Sequence, residues 1–179
     1  MRIATRSVSR AAASSLVGAL AFVGVQAAAQ TASAATKQAS VGTCTAANTK
    51  VTVTEVSRPI NHLLLKATNT GTKPCYAYNA PFLRAGADAQ APLAWADETV
   101  PQAVVTLKPG QSAYAGILTS SPEGEGGAKE KTLGVIFTNR SGGATAEEKT
   151  LNLPHSGIFF NSAATVTYWQ TNAEDALAW

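Results

Sequence analysis

Between positions 44 and 170 apolar and polar residues alternate in short runs, and a turn signal interrupts them about every ten residues. No stretch in that region carries a convincing amphipathic helical period, so the pattern points to an all-β chain. VTVTEVS (51–57) sets Val51, Val53 and Glu55 against Thr52, Thr54 and Val56, as in a half-buried strand, and Arg58-Pro59 ends it. In NHLLLKATN, Leu63, Leu65 and Ala67 share a face, with His62 on the opposite one. Asn69-Thr70-Gly71-Thr72 follows as a turn in which Gly71 is free to take positive φ. Tyr76 and Tyr78 alternate with small residues, and PFLRAGADAQAPLAW reads as a hairpin with its tip at residues 85–88. Residues 102–107 form another strand. LKPGQSAYAGIL gives a second hairpin, with Pro109-Gly110 at the centre of a type II turn.

Residues 121–131 (SPEGEGGAKEK) are polar and glycine-rich, an exposed loop. Further strands are expected at 132–138, 149–153 and 164–170, and the tail NAEDALAW either frays or makes one helical turn. About seven to nine antiparallel strands of this kind make a single immunoglobulin-like β-sandwich, with a small closed barrel as the alternative.

The N-terminus has a different character. Arg2, Arg6 and Arg10 precede the apolar run AAASSLVGALAFVGVQAAA, which is the layout of a secretory signal peptide. Cleavage is expected after Ala34 in preference to Ala29, giving a signal at 1–34 and a small-residue linker at 35–43. No adjacent arginine pair marks the twin-arginine route, and Cys44 lies too far beyond the apolar run to be a lipidated cysteine. The three arginines account for the whole excess of 14 basic over 11 acidic residues, so the exported part is neutral. A neutral domain with no Lys/Arg cluster lacks the electrostatic footprint for nucleic acid or for an anionic membrane. A monomer is expected, outside the cell or on its wall.

Export bears on the two cysteines. In an oxidising compartment Cys44 and Cys75 are expected to pair, a free or reactive thiol being the alternative. No CxxC or Cys-His spacing points to a metal.

Taken in order, CTAANTKVTV from Cys44, LLLKATNTGTKPC, Pro81-Phe82-Leu83 and LKPGQSAYA resemble the domain of unknown function 4232 family of secreted actinobacterial proteins, over roughly 44–170. Asn79-Ala80-Pro81 departs from the Gly-aromatic-Pro triplet of that family, and a further cysteine pair expected in some members is missing. The resemblance implies a secreted or surface-tethered β-sandwich with Cys44–Cys75 as its disulfide, and carries no activity. Residues 171–179 would then be a tail, with Trp179 loose.

The search for chemistry yields little. His62 and His155 are the only histidines, both read as surface residues, and neither sits in a paired-ligand motif. There is no GxSxG elbow, and no SxxK follows the signal. The acidic pairs Asp97-Glu98, Glu147-Glu148 and Glu174-Asp175 read as solvated charge. No cofactor, metal or catalytic residue is expected. The aromatics are the better candidates: Trp169 shares a face with Thr165 and Thr167, so a solvated threonine face would expose it. Trp95, Trp169, Tyr76 and Tyr78 are therefore the candidate ligand-binding residues, for a sugar ring or a protein partner. The expected role is a non-catalytic binding module of the cell envelope. Alternatives are a carbohydrate or cell-wall binding module, a secreted protease inhibitor presenting the loop at 121–131, and an unrecognised hydrolase.

Overall fold

The computed structural model describes residues 40–179. The expected signal peptide and most of the linker lie outside the described residues.

The described chain is nearly all β. Its strands are β1 (Gly42–Thr43), β2 (Thr49–Glu55), β3 (His62–Asn69), β4 (Cys75–Ala85), β5 (Ala94–Ala96), β6 (Val105–Leu107) and β7 (Ser112–Leu118). They continue as β8 (Ala128–Glu130), β9 (Thr132–Thr138), β10 (Ala144–Asn152), β11 (Ile158–Phe160) and β12 (Thr165–Thr167), before one helix, α1 (Ala173–Leu177). One five-stranded sheet runs β2-β3-β7-β12-β5. A second runs β1-β4-β9-β10, with β6 also on β4, and β8 and β11 form a separate ribbon. Most pairs are antiparallel, as the sequence predicts, but β1 runs parallel to β4 and β5 parallel to β12.

The period-two pattern builds the core. Leu63, Leu65 and Ala67 of β3 and Ala113, Ala115 and Ile117 of β7 point inward from the first sheet. Leu83, Leu133, Val135, Phe137 and Leu107 come from the second, and all belong to one buried cluster. Cys44 and Cys75 are bonded inside that cluster, 31 residues apart, which fastens β1 to the start of β4.

Several local expectations need correction. Lys108 to Gln111 does form the predicted turn, with Gly110 at φ 81° and Gln111 N–H donating to the Lys108 carbonyl at 2.9 Å. It does not join a hairpin: β6 lies on β4 while β7 lies on β3, so the turn carries the chain from one sheet to the other. The 81–95 stretch behaves likewise, because β4 belongs to one sheet and β5 to the other. Turn chemistry fixes a reversal of direction, and the same reversal serves a hairpin or a crossover.

Gly71 is not among the positive-φ glycines; a Cβ there would lie 3.2 Å from Asn69 Oδ1, which already accepts from Gly71 N–H at 2.8 Å. Asn69 is buried and its Nδ2 donates to the carbonyls of Lys73 and Leu107, tying this turn to β6. The loop at 121–131 contains the strand Ala128–Glu130, and its start is braced by Asn161 Nδ2 donating to the Ser121 carbonyl.

The C-terminus neither frays nor hangs loose. Asn172 caps α1 by accepting from Asp175 N–H, and the helix packs on the outer face of the β3–β7 sheet. Gly116 is the socket: a Cβ there would lie 1.9 Å from the Ala176 carbonyl oxygen. The Trp179 ring meets His62 edge-on at 5.8 Å, and its Nε1–H donates to the Ala176 carbonyl. His62, expected at the surface, is buried as a consequence.

Candidate functional site

Two places bring chemistry-bearing side chains together. The first is an aromatic trough. Between Tyr78 and Phe82 the register of β4 against β9 advances four residues on one strand and two on the other. Asn79 takes φ 49° at this bulge, whose carbonyls are satisfied by Trp169 N–H on Asn79 and by the Thr138 hydroxyl on Ala80. Beyond it Phe82 is half-buried while Leu83 turns inward. The parallel pairing of β5 with β12 sets Trp95 opposite Val166, and Trp95 lies 5.0 Å from the Phe82 ring and 5.7 Å from Tyr168.

The rings are held in place. Trp95 Nε1–H donates to the Pro81 carbonyl at 3.2 Å, and the Tyr168 hydroxyl donates to Asp97 Oδ1 at 3.3 Å. Tyr168 N–H donates to Thr99 Oγ1 in the 3-10 turn Asp97–Thr99. Partial burial, and secondarily the Asp97 charge and hydrogen bond, raise the Tyr168 phenol above the ordinary tyrosine value. The shallow hollow beside Trp95 is about 340 Å³, lined by Phe82, Pro92, Leu93, Ala94, Trp95 and Asp97. Such a surface offers flat apolar faces with one carboxylate at the rim, chemistry suited to a ring that is apolar on its faces and hydroxylated at its edge.

Of the four expected aromatics, Trp95 alone lies here. Trp169 is fully buried and stacks on Phe137 at 5.4 Å, so the expectation that it is an exposed binding residue fails. Its threonine face is not solvated either: Thr167 is buried and its Oγ1 accepts from Gly116 N–H. The alternation misleads because β12 ends at Thr167, after which Trp169 N–H donates to Asn79 in the other sheet. Tyr76 and Tyr78 are half-buried on one face of β4, 5.5 Å apart, and line no part of the hollow. The sequence pattern does not single out Phe82, Tyr168 or Asp97: Phe82 stands in the Pro-Phe-Leu segment without a partner to give it meaning, and Asp97 reads as half of a solvated acidic pair.

The second place is a cleft of about 290 Å³ that includes both histidines, together with Glu55, Ser120, Lys129 and Phe159. His155 Nε2 lies 2.9 Å from Glu55 Oε2, and Lys129 Nζ donates to Ser156 Oγ at 2.8 Å. Both pairs are solvated: the His155 and Glu55 side chains are 74% and 48% exposed, and Lys129 and Ser156 are exposed too. Water therefore competes at each, unlike the dry setting in which such pairs activate a hydroxyl. Among the described residues no group of three His, Cys, Asp or Glu is placed to hold a metal, and no helix is long and apolar enough to cross a membrane.

Residues 44–170 match the family model described as "Domain of unknown function (DUF4232)". That match spans well over half of the chain, and the chain belongs to this family. No curated protein and no solved structure matches it.

Proposed function

We propose that this is an exported, non-catalytic binding module, an immunoglobulin-like sandwich whose contact face is the Phe82–Trp95–Tyr168 trough and whose ligand is a glycan of the cell envelope. The observation that carries the reading is the trough itself: Trp95 in contact with Phe82 on one side and Tyr168 on the other, all three partly exposed, each fixed by packing or hydrogen bonds rather than free to rotate. Preorganised rings lose little conformational entropy on contact, which favours stacking on a sugar face. Asp97, with one oxygen engaged by Tyr168, has a second available to sugar hydroxyls.

Sandwich architecture is supported by the shared core of the two five-stranded sheets. Export is supported by the arginine-led apolar N-terminus and by the disulfide. A non-catalytic role is favoured by the solvated state of the Glu55–His155 and Lys129–Ser156 pairs.

The test is co-sedimentation of the purified, oxidised protein with isolated cell-wall sacculi at low and high salt. Stacking on neutral rings resists salt, so pelleting at both concentrations is expected. Protein left in the supernatant at both would defeat the reading.

A further inference from the structure

We propose that the cleft holding both histidines is a second ligand site, separate from the trough, for a small carboxylate that bears an apolar group and an adjacent N–H or O–H donor. The site is built from three regions distant in sequence. β3 begins with His62, whose side chain is in a residue only 8% exposed. Its Nδ1 lies 2.7 Å from the Ile60 carbonyl oxygen; a carbonyl only accepts, so Nδ1 carries the proton. In the neutral ring Nε2 is then an acceptor, and among the described residues it makes no hydrogen bond. The Trp179 ring packs against the same imidazole, the two planes at 71°, and holds it in place.

The β8–β11 ribbon supplies the other two groups. Lys129 and Phe159 are direct cross-strand partners and project from the same face of the ribbon, the 47% exposed phenyl ring leaning over Gly127 and the ammonium reaching toward Ser156. The Lys129 ammonium donates to Ser156 Oγ and keeps N–H groups for a ligand. Glu55, the one carboxylate lining the cleft, lies 2.9 Å from His155 Nε2, and among the described residues no carboxylate pairs with Lys129, which leaves that ammonium without a counter-ion. An anion is therefore the complement of the lysine, an apolar group that of Phe159, and a hydrogen-bond donor that of His62 Nε2.

Backbone conformation at the cleft points the same way. Of the three non-glycine residues with positive φ among the described residues, Asn61 (57°) and His155 (54°) both line it. Such conformations are costly and persist where surroundings enforce them. Here the Asn61 carbonyl accepts from both Thr119 N–H and Thr119 Oγ1, and Asn61 Nδ2 donates to the Ser120 carbonyl. The cleft volume, about 290 Å³, suits a compact molecule at the lower end of small-ligand pockets.

N-acetyl-phenylalanine is a suitable probe, and N-acetyl-phenylalaninamide its uncharged control. With histidine ring labels the protein has two ring signals to follow by NMR, assigned with His155→Gln. Titration with the acid should shift both signals saturably in the millimolar range, and the amide should bind at least about tenfold more weakly. Lys129→Gln should weaken the acid to a similar degree, and Trp95→Ala should leave it unchanged. Absence of a saturable shift, equal response to acid and amide, or an unaffected Lys129→Gln variant would overturn the site. Loss of binding in Trp95→Ala would overturn its independence from the trough.

Discussion

Replacing Cys44 and Cys75 together by alanine removes a cross-link across 31 residues of chain. In the chain-entropy model that loop corresponds to about 12 cal/mol/K, or about 3.7 kcal/mol at room temperature, released to the unfolded state. Both cysteines are buried, Cys44 completely, so the smaller side chains also leave unfilled space and push the cost upward. Against a total stability of about 5–15 kcal/mol this is a large fraction. With a urea m-value of about 2 kcal/mol/M, the midpoint should fall by about 2 M. Tryptophan fluorescence is the natural readout, because Trp169 is wholly buried against Phe137 and reports loss of the core. The first region to loosen should be β1, a two-residue strand that among the described residues pairs with β4 alone, and its amides should exchange fastest. A midpoint shift below about 0.5 M would refute the reasoning, since it would mean that the loop is already closed in the unfolded state or that the bond is strained.

Other consequences are equally open to measurement. Gly116→Ala forces a methyl against the Ala176 carbonyl, so α1 should lift from the sheet at a cost of about 1–3 kcal/mol; urea melting and proteolysis of the tail would register it. Trp169→Ala should destabilise by about 3–5 kcal/mol, whereas Trp95→Ala, at a partly exposed site, should cost far less; the comparison separates core from trough by calorimetry. The Tyr168 phenol should titrate above the usual value in the folded protein, read from tyrosinate absorbance. Because folding raises that pKa, its contribution is complete below the unfolded-state pKa and vanishes as pH rises through the folded one. Asp97→Asn should bring the titration only part of the way back, burial being the larger cause.

Much of the architecture was legible because a sheet with one buried face writes itself as alternation. Leu63, Leu65 and Ala67 point inward as their spacing says, and the Pro109-Gly110 turn forms where its chemistry requires. The cysteines pair as the compartment argument expects. Alternation assigns faces, however, and not partners, so neither crossover between sheets could be read from it. It also fails where a strand is only three residues long: beyond Thr167 the chain leaves its sheet, and Trp169 goes to the core instead of to solvent. The trough was invisible for a related reason. Phe82, Trp95 and Tyr168 meet through a bulge, a parallel strand pair and a 3-10 turn, none of which leaves a local signature. The burial of His62 depends on Trp179, 117 residues away in the chain, and no local pattern encodes that contact.

The direct test of the trough as a contact face is titration calorimetry of wild-type and Trp95→Ala protein with soluble cell-wall glycan fragments. Wild-type protein should bind, and the variant, folded to the same melting temperature within a few degrees, should bind at least about tenfold more weakly, as expected for truncating a central aromatic. Equal affinity of the two proteins, or no heat from either, would contradict glycan recognition by the Phe82–Trp95–Tyr168 face.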